Sequence, residues 1–184
     1  MRSIRTFLTL GVALLTTTFT CAEEYYDIGS IHYEASTDSP LAQEWFDRGL
    51  ANCYGFNHEE AVRCFEKAIA ADPGMAMAYW GMAYAWGPNI NNMEIEAHQI
   101  AKADLAVDLA QIHSESATKL EKALIAALGK RYVTPVPEDR DSLNQAYSES
   151  LRQIHRDHHD DPLVVTLFAE SLMNLQPWLH WSPD

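Results

Sequence analysis

The chain has 184 residues, 47% of them apolar, with 13 basic residues against 26 acidic ones and a net charge of −13. That length buries one sizeable core, and the acidic excess repels nucleic-acid phosphates and anionic lipid alike. Neither nucleic acid nor a membrane surface is therefore expected as a partner.

The first element in chain order is a leader. Arg2 and Arg5 precede an uncharged run from Thr6 to Thr20 that is short for a bilayer span, and Thr20 and Ala22 are small residues at the spacing of a cleavage site. Residues 1–22 are thus expected to be a secretory signal peptide, and the protein to be periplasmic or extracellular. A lipid-anchored form would use Cys21, but the Thr-Phe-Thr before it is a poor match to what that modification needs. Cleavage after Ala22 removes Arg2, Arg5 and no acid, so 11 of the 13 basic residues stay against 26 acidic ones and the charge becomes −15. No later stretch approaches membrane length, so no membrane insertion is expected after cleavage.

Residues 23–39 read as an extended N-terminal segment, and 40–184 as a helical domain with an internal period. Trp45, Phe46, Gly49 and Leu50 recur in kind, 34 positions on, as Tyr79, Trp80, Ala83 and Tyr84. A fixed period of this length is the mark of stacked helix pairs. Between the two copies, Ala61, Phe65 and Ala68 fall at helical spacing and Pro73 closes the unit.

These residues resemble the tetratricopeptide repeat (TPR) family, whose unit is a helix, a tight turn and a second helix. Trp45, Gly49, Ala61, Phe65, Ala68 and Pro73 match its packing signature, and Tyr79 and Ala83 begin it again. Arg48 stands where leucine is usual and Asn52 where tyrosine is usual, so the first helix is expected to pack less tightly than in a consensus repeat. The stretch from Phe56 to Asn91 is also similar to a family of exported bacterial TPR proteins, mostly longer than this chain and without an agreed biochemical function. The resemblance is close over 41–92 and looser beyond. It implies an all-α fold, a TPR-like array of antiparallel helix pairs (an α-solenoid) with about seven helices.

Phe56-Asn57-His58-Glu59-Glu60 is most of the way to a zinc-protease pair, but the second histidine would fall at Val62. The plainer reading is a helix start, with Asn57 as cap and Glu60 completing a capping box at the positive end of the helix dipole.

Further along, Gly87 to Met93 is a turn-rich loop, after which Asn91 or Asn92 would cap a helix running to about Ile112 with a stripe of Ala97, Ala101, Leu105 and Leu109. Ser114 or Ser116 would start the next, stopped by Gly129. Tyr132 to Asp139 is a proline-bearing linker. Ser142 to about His158 is helical again, and Asp161 followed by Pro162 opens the last helix, which ends before Pro177. Seven helices are odd for a stack of pairs, and "PWLHWSP" leaves Trp178 and Trp181 without a polar closing helix, so the array is expected to continue in a longer protein.

For function, the resemblance implies a concave surface of first helices that binds a protein or peptide. If Trp45, Gly49 and Asn52 are buried, that surface shows Phe46, Leu50 and Tyr54 and, one period on, Met77, Trp80 and Tyr84. An apolar peptide or helix is the expected ligand, without the lysine and asparagine clamp of some TPR proteins. The blander reading is that these side chains are core, covered by the Gly87–Met93 loop or by downstream repeats.

A second reading is metal binding. His155, His158 and His159 stand at spacings of three and four, with Asp157, Asp160 and Asp161 close by, a pattern able to chelate copper or zinc if one helix face carries all three histidines. Histidines also suit a helix C-terminus for ordinary electrostatic reasons. Cys53 and Cys64 are expected on adjacent antiparallel helices about one turn out of level, which disfavours a disulfide. No cofactor is called for. With neither a nucleophile elbow nor a phosphate-cradling loop in the sequence, catalysis is not expected.

Overall fold

The computed structural model describes residues 27–176 apart from 136 and 138. The expected signal peptide at residues 1–22, with Cys21, and also Trp178 and Trp181, lie outside the described residues. Those described form seven α-helices and no β-strand: α1 Pro40–Tyr54, α2 His58–Ala71, α3 Ala76–Trp86, α4 Ala97–Ile112, α5 Lys119–Gly129, α6 Asp141–Asp157 and α7 Pro162–Leu175. Each helix packs on the next in sequence, and α3 also touches both α1 and α5.

Local chemistry explains most of the boundaries. Ser39 caps α1 by accepting the Ala42 amide at 3.2 Å, with Pro40 in the first turn where no amide is needed. The chain then turns through Gly55 and Phe56, the latter at φ 57°, in the left-handed region. Asn57 holds the cap position of α2 as expected, but its side chain makes no capping bond. Glu59 and Glu60 sit in the first turn, where the dipole favours them, and Glu60 pairs with Arg63 at 2.9 Å instead of closing a capping box. Asp161 accepts the Val164 amide at 3.0 Å and Pro162 follows it, the start expected for α7.

Three expectations need correction in the middle of the chain. Neither Asn91 nor Asn92 caps α4: both amides bond back to the Asn89 side chain, and Glu96 forms the cap reciprocally with Gln99. The stripe of Ala97, Ala101 and Leu105 faces water, with Leu105 60% exposed, while Ile100, Ala103, Ala106, Val107 and Ala110 form the buried face. Alanine is common on both faces of this helix, so the wrong set of fours was legible as the stripe. Finally, Ser114–Ser116 forms only a 3-10 turn, and α5 starts after Thr118, whose hydroxyl accepts the Glu121 amide while Glu121 accepts that of Thr118.

The core is organised around Phe65. A Cβ placed on Gly49 of α1 or on Gly81 of α3 would lie 2.4 Å from its ring, so the two glycines let α1 and α3 close on the phenyl group of α2. Ala61, Ala68 and Ala83 are fully buried beside it, and Phe46 lies 5.7 Å away ring to ring. Trp45, by contrast, is only half-buried and lies beneath the Lys67 ammonium at 4.4 Å from its ring centre. Tyr79 is buried, with its hydroxyl on the carbonyl of exposed Pro73 at 3.1 Å. Asn52 is buried too, its amide bonded to the Arg48 carbonyl at 2.9 Å.

Candidate functional site

The six side chains expected to line an open groove are not open in this structure. Phe46, Leu50, Met77 and Trp80 are at most 1% exposed, Tyr84 is buried and Tyr54 half-buried. Two other parts of the chain lie on them. Tyr33 of the N-terminal segment packs its ring 6.5 Å from that of Phe46. At the other end Trp80 and Tyr84 stack in parallel at 5.5 Å, and the Tyr84 hydroxyl donates to Glu170 of α7 at 2.5 Å. Burial, and after it the Glu170 charge, holds the Tyr84 hydroxyl well above the usual phenol range, so Tyr84 stays a donor.

The N-terminal segment is held by side chains that address its backbone. Asp47 accepts the Tyr33 amide at 3.2 Å. Gln43 uses both ends of its amide, donating to the Tyr33 carbonyl at 2.8 Å and accepting from the Ala35 amide at 3.0 Å. Glu121, wholly buried at the start of α5, accepts the Ser36 amide at 2.7 Å and the Ser36 hydroxyl at 2.5 Å. Thr37 donates to Asp72 at 2.5 Å. Residues 33–37 therefore lie as a peptide gripped by α1, α5 and the end of α2.

Beside this segment opens a cleft of about 890 Å³ whose walls include Ser36, Thr37, Asp38, Asp72, Ser116 and Thr118. It is rich in hydroxyl and carboxylate groups, but several of them are already engaged: Asp72 bonds Thr37 and the Gly74 amide, and Ser36 bonds Glu121.

The histidine cluster does not assemble. α6 stops at Asp157, so His158 is its C-terminal cap, with non-helical backbone and its amide on the Ile154 carbonyl, and His159 lies exposed in the following turn. Half-buried His155 rests on Phe168 at 5.1 Å. Among the described residues no group of three His, Cys, Asp or Glu side chains gathers as a metal site. The spacing argument failed because it assumed one continuous helix through all three positions.

Cys53 and Cys64 are free and buried. Burial pushes the Cys64 thiol up to about 11 and the Cys53 thiol higher still. In a Cys21→Ala chain, a thiol reagent at about pH 8 is expected to modify neither cysteine until denaturant unfolds the protein, since reaction follows the thiolate. Prompt labelling of the native protein would contradict this burial.

Sequence reasoning missed Gln43, Asp47, Glu121 and Gly81. The first two stand one turn apart on α1, which ordinary surface residues do as well, and Glu121 reads as a capping residue, which it also is. The bonds of Gln43, Asp47 and Glu121 to residues 33–36 join positions 8 to 85 apart in sequence and leave no helical or strand pattern. Comparisons with protein-family models, with curated proteins and with solved structures return no match for this chain.

Proposed function

We propose that the chain is an exported TPR-type scaffold that binds a protein or peptide partner and catalyses nothing, using the face of α1 and α3 on which Phe46, Leu50, Tyr54, Met77, Trp80 and Tyr84 lie. The observation that carries this reading is the grip on residues 33–36. Gln43, Asp47 and Glu121 bind three amides and one carbonyl of a stretch outside any helix or strand, with Tyr33 laid on the aromatic Phe46. Backbone bonds give affinity without regard to sequence, while pockets for side chains give specificity. A surface that addresses main-chain atoms in this way suits other segments of the same shape, and the chain's own segment then competes with the partner as a tethered ligand.

The test loosens the segment that lies on Phe46 without altering the groove. Ser36→Pro removes the amide and the hydroxyl that Glu121 holds. A fluorescent peptide with the sequence of residues 27–39 is expected to bind the Ser36→Pro chain about tenfold more tightly than the unaltered chain, because the tethered competitor is weakened. Adding Gln43→Ala should remove most of that gain, each lost backbone bond weakening the peptide by several-fold. Equal, negligible binding by all three chains would overturn the reading.

A further inference from the structure

Arg131 follows α5 and is 0% exposed, yet none of its three guanidinium nitrogens has a hydrogen-bond partner among the described residues. Its Cζ lies 4.7 Å from the ring centre of Tyr147 on α6, so one face of the guanidinium is covered by an aromatic ring. A second guanidinium joins it. Arg140, half-buried, donates through Nη2 to the Arg131 carbonyl at 2.8 Å, and its buried Nε and Nη1 are likewise unpartnered among the described residues. Burial and then the nearby Arg131 charge lower the Arg140 pKa. Burial first, and Glu170 in addition, raise the pKa of the neighbouring phenols of Tyr132 and Tyr147, but the hydrogen bonds the Glu170 oxygens accept come from Tyr84 and from the Asn174 amide at 3.3 Å, not from either arginine. The Tyr147 hydroxyl is buried and unpartnered as well.

Two guanidinium groups with unused donors thus neighbour each other, Arg131 in the interior and Arg140 half-buried against the Arg131 backbone, and no described carboxylate is hydrogen-bonded to either. A buried charge left without an acceptor is costly, whereas an apolar residue of similar size would fill the same space without that cost. The planar fork of an arginine fits an oxyanion, which can take two parallel N–H bonds at once. We propose that Arg131 and Arg140, with the Tyr147 hydroxyl as a further donor, form an interior binding site for a small oxyanion. Arg140, the more exposed of the two arginines, marks the side from which the ion enters. The site stands independently of the partner-binding reading, since none of its residues touches residues 33–37 in any bond described above.

The experiment is a thermal and calorimetric titration of the full chain with inorganic phosphate and, separately, with sodium acetate, at constant ionic strength. A saturable rise in melting temperature with one ion bound per chain is expected, and the ion giving it tells a phosphate-like ligand from a carboxylate. Arg131→Met should weaken binding by at least about tenfold, which is what loss of a charge-assisted pair of bonds implies, while leaving the ion-free protein no less stable. Tyr147→Phe keeps the ring and removes only the hydroxyl, and should weaken binding by several-fold. It keeps the proposal open to refutation if the methionine variant does not fold. The proposal is overturned if neither ion shows a saturable effect, or if the unaltered chain, Arg131→Met and Tyr147→Phe all respond alike.

Discussion

Replacing Phe65 by alanine is expected to destabilise the protein by about 3–5 kcal/mol, as for other large aromatic groups lost from a packed core. For a chain of this length each kcal/mol moves the melting temperature by roughly 2–4 °C, so thermal denaturation will resolve the change easily. Geometry points to the upper end of that range. The ring is wholly buried and is met from both sides by glycines, where even a single methyl group would come within 2.4 Å. Helices α1 and α3 cannot collapse into the void without moving against α2, so the cavity persists. The same geometry predicts the sign of a coupling. Gly49→Ala and Gly81→Ala should each cost about 1–3 kcal/mol alone, because the ring has nowhere to go, overpacking being destabilising in its own right. In a Phe65→Ala background the added methyl group meets empty space, and either substitution should cost at least about 1 kcal/mol less. Additive costs would mean that the glycines serve only their own helices.

That arrangement also shows which parts of the molecule could be read from the sequence. Gly49, Ala61, Phe65 and Ala68 are buried together because small residues at helical spacing opposite one aromatic can do only one thing, and the period made them visible. Caps at Ser39, Thr118 and Asp161 obey local rules, although Ser114 and Ser116 offer the same chemistry as Thr118 within five residues and nothing local separates them. Tertiary coverage was not legible. Whether Phe46 and Tyr84 line a groove or a core depends on Tyr33 and Glu170, which reach them from 13 residues before Phe46 and 86 residues after Tyr84. Arg131 was passed over for a related reason: in the sequence it is one more basic residue at a helix end, and only its burial makes it unusual. The histidines erred the other way, their spacing promising a shared face that the end of α6 at Asp157 removes.

Replacing Trp80 by alanine is expected to cost about 3–5 kcal/mol of folding stability, measured by denaturant unfolding, before any effect on a partner is considered. Trp80 is 1% exposed and stacks on Tyr84, so its removal empties a large interior volume and frees the phenol that holds Glu170. A lost interaction in such a variant would say little about a binding surface unless the fold were shown to survive. Trp80→Phe separates the two. The indole N–H is buried without a hydrogen-bond partner among the described residues, a burden of about 1–3 kcal/mol that phenylalanine does not carry. Its smaller ring loses packing but sheds that burden, and the net cost should stay under about 2 kcal/mol. If Trp80→Phe instead proves as damaging as Trp80→Ala, the indole nitrogen must have a partner in solution.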